Sequence, residues 1–430
     1  MLRLALLFMI LIAYGSLYPF TEWQAAPAPL FGFLLQWPVR MPRADLVQNV
    51  LAYAPFGLFL ALYRLGRPGA RNGAALRWTV EAGFMLSLTM ECLQQFEPLR
   101  IASTADIAMN VLGSAAGALL ALALCGVPAA GAPAPGPLPG GPLQPSALLA
   151  RLHHWRRRRF YAGTLPNIGL AALVLWMLSQ TSPLVPSFDL AMLGHKAGAL
   201  SWQLRHLSAA ALVPCAVLAA QLTALGLLMR TLLRPVPGQV SGDLFFAGLL
   251  GAVYCAKLLV VGRYLALADV AGAVLALALL RLAPGAGRRP AALAGAVLLL
   301  AGFVMAESQN GYGNIVHPFN WVPLSGQMRS LSGLENILEL FWPFFALAYF
   351  GRWLTPAEHR LQVSALGALL VLALVFQLEW MQQALPGRYG DITQVLLAVC
   401  GWLLPWSFTA ADFYGARRAA FKRSTVLADN

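Results

Sequence analysis

The 430-residue sequence has few charged residues, 11% of the total, and fewer acidic than basic ones, with 17 Asp and Glu against 30 Lys and Arg. Soluble domains carry about 25% charged residues, so this composition excludes a soluble globular protein. The hydrophobic content of 59% and the mean hydropathy of +0.66 indicate instead a chain whose solvent is the lipid bilayer.

The sequence is also poor in residues that bind metals or cofactors. Its five cysteines lie far apart in apolar segments, without a CxxC pair or a histidine at ligand spacing, which excludes a disulfide framework and a zinc site. A glycine-rich phosphate-binding loop and a nucleophile paired with a base are equally missing. We therefore predict no metal and no cofactor.

Long apolar runs are what the sequence has in abundance. Runs of about eighteen or more residues with hardly a charge predict spanning helices. The predicted fold is all-α, a polytopic transmembrane helical bundle of about twelve helices built from repeated four-helix units. The predicted helices are 3–20, 45–63, 79–96, 105–126, 161–181, 207–229, 243–262, 265–281, 290–306, 334–351, 362–384 and 392–411.

The distribution of the basic residues predicts how this bundle is oriented. Basic residues of membrane proteins collect in cytoplasmic loops, and here most of them fall in alternate loops and in the C-terminal tail. This pattern predicts both termini in the cytoplasm. We predict that the first helix is retained instead of cleaved as a signal peptide, because the Tyr18-Pro19-Phe20 that follows it belongs to a motif described below. The pattern of basic residues explains the net charge of +13 without a nucleic-acid partner and leaves membrane lipids as the expected surroundings.

Self-comparison of the chain indicates an internal repeat. The motif E-x-x-Q-Q-x-x-P-x-R occurs at residues 91–100 and again, 288 residues later, at residues 379–388. Beyond the motif, Asp106 is paired with Asp391, which implies a short deletion in the second copy. Each copy is predicted to be a four-helix unit.

The chain between these two copies carries a weaker form of the same pattern. Arg263 and Asp269 keep the spacing of the motif arginine and the following aspartate, while Tyr254 and Lys257 stand in place of the glutamate and the first glutamine. We therefore predict a degenerate middle unit. The predicted organisation is a first unit at 1–126, a Pro/Gly/Ala-rich and basic cytoplasmic linker at 127–160, the middle unit at 161–284, a third unit at 290–411 and a basic cytoplasmic tail at 412–430.

The motifs of the first unit, in order, carry a resemblance to a known family. They are Tyr18-Pro19-Phe20, Asn49-Val50-Leu51 with Pro55-Phe56-Gly57, the E-x-x-Q-Q motif with Arg100, Asp106-Ile107-x-x-Asn110, and Gly113 with Gly117. Together they resemble the VanZ-like family of bacterial membrane proteins, and the third unit is similar to it with fewer of these motifs. The namesake of the family contributes to resistance against the glycopeptide teicoplanin, so the resemblance implies a role in the cell envelope without naming a reaction. It also implies a location in the bacterial inner membrane.

The polar residues of the two clear copies are the candidate ligand-binding residues. They are Asn49, Glu91, Gln94, Gln95, Arg100, Asp106, Asn110, Glu379, Gln382, Gln383, Arg388 and Asp391. The glutamate and the two glutamines share one helix face, and the arginines are expected to bind the anionic part of an amphiphile. The predicted function is binding or modulation of a lipid-linked or peptidoglycan-type envelope component in an outward-facing pocket, with the first unit more intact than the third.

Other interpretations fit the same residues. A transporter or flippase would place the duplicated sites on a path across the membrane. A membrane-embedded enzyme would use Glu91 and Asp106 as acid and base, although nothing else in the sequence supports catalysis. In a purely structural interpretation the polar groups satisfy one another, because a carboxylate in a membrane helix needs a partner and Arg100 is a natural one.

Overall fold

The fold is that of a computed structural model. It describes residues 1–17, 23–25, 31–35, 43–67, 70–97, 101–125, 154–156, 158–182, 189–234, 241–282, 287–309, 317–325, 327 and 332–408. Most of these residues are in α-helices, which confirms the predicted all-α fold. Most of the predicted linker, the tail and Arg100 lie outside the described residues.

The helices follow the predicted order with one addition. They are α1 (Leu2–Leu17), α2 (Arg43–Leu65), α3 (Asn72–Gln94), α4 (Thr104–Cys125), α5 (Thr164–Thr181), α6 (Leu190–Arg205), α7 (Leu212–Leu232), α8 (Gly242–Leu259), α9 (Leu267–Leu282), α10 (Arg288–Glu307), α11 (Ser332–Leu354), α12 (Arg360–Gln382) and α13 (Ile392–Ser407). The third predicted helix begins earlier than expected, at Asn72. All helices except α6 correspond to predicted ones.

Helix α6 is absent from the prediction because glycine, histidine and lysine interrupt its apolar pattern. It begins after Asp189, whose side chain caps the helix N-terminus. The Lys196 ammonium donates to the carbonyl oxygens of Leu258, at 2.7 Å, and Val260, at 2.6 Å. The Gln203 side chain accepts from the first N–H of α9. Both contacts are with the α8–α9 turn, so α6 lies against one end of its unit.

Six helices of the described chain are long and apolar enough to cross a membrane. They are Leu46–Leu65, Thr104–Ala123, Ala209–Leu232, Gly242–Leu259, Arg288–Glu307 and Ala357–Gln382. In the last of these only 11% of the most apolar window is buried, although its mean hydropathy is 2.2. Soluble proteins rarely expose apolar surface on this scale, so it is the surface of a membrane protein. The full set of about twelve spans stays a prediction.

Close packing of α2 against α4 depends on glycine in both helices. A Cβ atom on Gly113 or Gly117 would overlap the backbone of Val50 or Ala54, and one on Gly57 would overlap the backbone of Ser114. Small residues four apart allow two membrane helices to approach to this distance. The G-x-x-x-G spacing of Gly113 and Gly117 therefore allows α4 to lie close to α2.

The chain divides into two compact domains, Met1–Arg156 and Arg157–Asn430. The N-terminal domain holds α1–α4, and the boundary falls within the predicted linker. The C-terminal domain holds α5–α9, the predicted middle unit, together with α10–α13, the predicted third unit. A single hydrophobic core contains Trp176 and Leu228 from the middle unit and Tyr349 and Phe350 from the third, so these two units are one body.

The middle and third units pack against each other reciprocally. Helix α5 packs against α11, and α10 packs against α7. When the additional helix α6 is left out of the count, the first helix of each unit thus contacts the second helix of the other, as in a pair of molecules related by a two-fold axis. On the same count, the second and fourth helices of each unit make its most extensive internal contact, α7 with α9 and α11 with α13.

Candidate ligand site

The predicted glutamate of the first unit fixes the turn between α3 and α4. Glu91 is 3% exposed, and its Oε2 accepts a hydrogen bond from the backbone N–H of Ser103 at 2.8 Å. The Ser103 hydroxyl in turn accepts from the N–H of Ala105 at 3.2 Å, at the start of α4. A buried carboxylate here satisfies an N–H that precedes the helix and has no partner within it.

The other polar residues of the first unit join its helices in pairs. Asn49 on α2 donates to Asp106 Oδ1 on α4 at 2.7 Å, and Asn110 donates to the hydroxyl of Ser87 on α3 at 2.9 Å. Gln94 donates to the carbonyl oxygen of a residue in the last turn of α1 at 2.7 Å. These bonds lie along three helix contacts, and they supply the partners that polar groups need in a membrane protein.

The second glutamine of each motif faces away from these contacts. Gln95 accepts from the N–H of Phe31 at 2.9 Å and donates to the carbonyl oxygen of Cys92, three residues earlier. Gln383 makes the same bond to the carbonyl oxygen of Trp380, at 3.1 Å. The bonds of Gln95 are thus to a loop and to its own turn, and its membership of a ligand-binding cluster with Glu91 and Arg100 stays a prediction.

In the third unit the motif residues converge on the end of α10. Glu379, 0% exposed, accepts from the N–H of Asp391 at 2.9 Å. Gln382 donates to Glu307 Oε2 at 2.8 Å, and Arg388 donates to the same oxygen at 2.9 Å. Arg388 also donates to the carbonyl oxygen of Ala306 at 3.0 Å, in the last turn of α10, where carbonyl groups have no N–H partner from a following helical turn. A cation at this end is favoured by the helix dipole.

These bonds correct the predicted pairing of Asp106 with Asp391. Asp391 follows Glu379 by 12 residues, as Ser103 follows Glu91, and each N–H binds its glutamate. The Asp391 carboxylate also caps α13, accepting from the N–H two residues on at 2.8 Å, as the Ser103 hydroxyl does. The offset of 288 residues therefore continues through the turn without a deletion, and Asp391 takes the place of Ser103.

The middle unit makes corresponding contacts with different side chains. Lys257 donates to Gln180 at the end of α5 at 3.4 Å, as Gln94 and Gln382 donate to the ends of α1 and α10. Tyr254 stands at the position of the motif glutamate. The N–H of Ala266, just before α9, therefore donates to Asp269 Oδ2 instead, at 2.8 Å. The same backbone N–H thus has a carboxylate partner in each unit.

A cavity of about 470 Å³ lies between the middle and third units. This volume is in the range of small-molecule sites. Its polar lining from the middle unit is Gln180, Gln221, Lys257 and Asp269. Its charged lining from the third unit is Glu307, Glu339, Arg388 and Asp391. The aromatic residues Trp176, Phe303, Trp342 and Tyr389 also line the cavity.

Each cation of the cavity wall has a carboxylate partner from its own unit. Lys257 Nζ lies 3.0 Å from Asp269 Oδ1, and Arg388 Nη1 lies 2.9 Å from Glu307 Oε2. Lys257 and Asp269 are 8% and 5% exposed, so this pair is largely removed from water. Buried charges are tolerated when they are paired in this way.

Arg263 adjoins the cavity and joins the two units. Its guanidinium donates to the carbonyl oxygens of Ser179 and Ser182 at the end of α5, the latter at 2.8 Å. On the other side it binds Glu335 and, at 3.4 Å, Glu339, both on α11. The planar five-donor fork of arginine suits this bridging position, which lysine could not fill.

Comparison with known proteins identifies the N-terminal domain. Residues 2–125 match the family model described as VanZ/LLP1. Residues 2–125 form a VanZ-like unit. The match ends with α4, so the likeness of the third unit to this family stays a prediction from its motifs. A search of curated proteins and a search of solved structures each returned no match.

Of the predicted site residues in the VanZ-like unit, Asn49, Gln94, Asp106 and Asn110 link its helices. In the third unit, Arg388 and Asp391 line the cavity. Sequence reasoning missed Glu307 and Glu339, which also line it. Glu307 carried a usable signal, because an acidic residue at the outward end of a predicted membrane helix needs a cationic partner. Arg388 is a predicted outward residue of the same unit.

Proposed function

We propose that this VanZ-like membrane protein binds the polar part of an envelope amphiphile in the cavity between the middle and third units. The observation that carries the proposal is the position of the cavity, which lies at the contact of two reciprocally packed units and is lined by their ion pairs. Ligand sites commonly lie at such interfaces, with a few charged groups beside apolar walls. The volume suits a head group, and the acyl part would stay in lipid.

The proposal includes three related units, of which the first matches the family. Its support is the set of corresponding bonds: a side chain at position 94, 257 or 382 donates to the end of its unit's first helix. Arg263 and Arg388 bind the carbonyls at the ends of α5 and α10 in the same way. Duplication would explain how two units came to form a shared cavity.

The proposed orientation places the cavity at the periplasmic end of the bundle in the bacterial inner membrane. The basic residues at the opposite helix ends support this orientation. In a cysteine-free background, we expect an impermeant thiol reagent to label Tyr389→Cys in intact cells. Tyr389 lines the cavity and is 48% exposed. Arg289→Cys, exposed at the start of α10, should be labelled only after the cells are opened.

Labelling of Arg289→Cys in intact cells, with Tyr389→Cys protected, would contradict this orientation. It would turn the cavity to the cytoplasm and exclude a ligand from the periplasm. Equal labelling of both positions in intact cells would contradict the assignment of these two positions to opposite sides.

Photo-crosslinking tests the binding function directly. We expect a photo-reactive phenylalanine derivative in place of Gln221, on the cavity wall, to trap an envelope amphiphile in native membranes. The control is the same replacement of Leu369, which is 64% exposed on α12 and should trap bulk phospholipid. Mass spectrometry of the adducts distinguishes an envelope amphiphile from bulk phospholipid. Identical adducts at the two positions would contradict a specific site.

A transporter or flippase is the second candidate, favoured by the reciprocal packing of the two units. Many transporters hold substrate at the interface of structural repeats and rock one repeat against the other. A Gln221→Cys variant discriminates between the two functions. Reaction with an impermeant reagent from one side of the membrane supports binding, and reaction from both sides supports alternating access.

A further inference from the structure

The charges on the cavity wall bear on the class of ligand, given the binding function proposed above. We infer that the ligand carries a positive charge, as a primary or quaternary ammonium group. This differs from the sequence-based expectation that the arginines bind an anion. Three observations support it. The residues that line the cavity carry a net negative charge, its cations already have carboxylate partners, and several of its oxygen atoms are available to accept hydrogen bonds.

The wall carries more carboxylates than cations. Its cations are Lys257 and Arg388, and its carboxylates are Asp269, Glu307, Glu339 and Asp391. Four carboxylates against two cations leave two negative charges in excess when all are ionised. Adding the neighbouring Arg263 and Glu335 leaves this excess unchanged. An anionic ligand would increase it, whereas a cationic ligand would reduce it.

Each cation of the cavity already has a carboxylate partner. Both terminal nitrogens of Arg388 are bonded, to Glu307 and to a backbone carbonyl oxygen. The Lys257 ammonium binds Asp269 and Gln180. An anion that approached either cation would lie close to the carboxylate already paired with it and be repelled, or would displace that carboxylate and leave it unpaired.

Several acceptors, by contrast, are available to a donor-rich ligand. Glu339 lies 3.4 Å from Arg263, longer than a charge-assisted hydrogen bond of about 2.7–2.9 Å, and 42% of its side chain is accessible. Gln327 is 8% exposed, yet its Oε1 has no hydrogen-bond partner in the described structure, and the same holds for Gln394 Oε1. All three residues line the cavity. A primary ammonium offers three donors and no acceptor, which matches this wall.

The aromatic part of the wall also suits an organic cation. Trp176, Trp342 and Tyr389 line the cavity, and aromatic faces attract ammonium groups. A metal ion is a poorer fit, because no group of three His, Cys, Asp or Glu side chains within the described residues could hold one. The favoured ligand is therefore an amphiphile with an ammonium group on its polar part.

The test compares two probes with the same alkyl chain on the full-length protein in a neutral maltoside detergent. We expect octyltrimethylammonium to bind at least about tenfold more tightly than octyl phosphate by calorimetry. Glu339→Gln should weaken octyltrimethylammonium binding about tenfold, while Arg263 keeps Glu335 as its partner. The matched control is Glu358→Gln, which removes an exposed carboxylate from the 3-10 helix Ala357–His359 and should leave binding unchanged.

Tighter binding of octyl phosphate, lost in Arg388→Gln, would overturn the inference and restore the anionic ligand. Equal effects of Glu339→Gln and Glu358→Gln would overturn the assignment of the ammonium to this cavity. If neither probe binds while the photo-reactive residue at position 221 still traps a specific amphiphile, the charge inference fails and the proposed binding function stands. If the photo-reactive residue also traps only bulk phospholipid, both fail.

Discussion

Replacing Arg263 with alanine is expected to destabilise the C-terminal domain by about 3–5 kcal/mol, the usual cost of removing one partner of a buried ion pair. Arg263 is 8% exposed and binds the end of α5 on one side and Glu335 and Glu339 on the other. Without it, two carboxylates of α11 lose their cation, and the last carbonyls of α5 lose their donors. Thermal unfolding in detergent should show a midpoint lower by roughly ten degrees.

Two further variants make this result specific. Arg263→Lys keeps the charge but cannot reach two carbonyl oxygens and a carboxylate from one planar group, so we expect an intermediate loss. Arg205→Ala removes an exposed arginine at the end of α6 and should leave the midpoint unchanged. Unfolding of Arg263→Ala at the wild-type temperature would show that α5 and α11 are held together without this residue.

The sequence predicts most helices of this fold because membrane spans are long and apolar, a signal that needs no knowledge of tertiary contacts. The close approach of α2 and α4 is predictable for a similar reason, since Gly113 and Gly117 lie one turn apart on one face. Helix α6 escapes prediction because it lies against a turn, where Lys196 and Gln203 find backbone partners. Its pattern is set by those contacts.

The site is less predictable than the fold, because it depends on which units meet. Arg263 and Glu335 are 72 residues apart in different units, and only the packing of α5 on α11 brings them together. The error over Asp391 has another cause. Residue identity pairs it with Asp106, whereas the hydrogen bond from its N–H to Glu379 shows that the backbone position corresponds to Ser103.

The motif glutamate supports the second large prediction. Glu379→Ala should destabilise the third unit by about 1–3 kcal/mol, because it leaves the N–H of Asp391 without an acceptor at a site that is 0% exposed. The middle unit indicates that an acceptor is what this position requires: Tyr254 stands in place of the glutamate, and Asp269 takes over the N–H of Ala266. Any side chain at position 379 that can still accept a hydrogen bond from this N–H should therefore keep the third unit stable.

Glu379→Gln provides that matched comparison, since its amide oxygen can accept the same bond without the charge. We expect Glu379→Gln to unfold within a few degrees of the wild type, and to bind octyltrimethylammonium as the wild type does, while Glu379→Ala unfolds several degrees lower. Melting curves and calorimetry on the two purified variants are the measurements. A Glu379→Gln protein that is as stable as the wild type but no longer binds the probe would show that the carboxylate acts on the ligand. In that case Glu379 would be a binding residue as well as the acceptor that fixes the turn before α13.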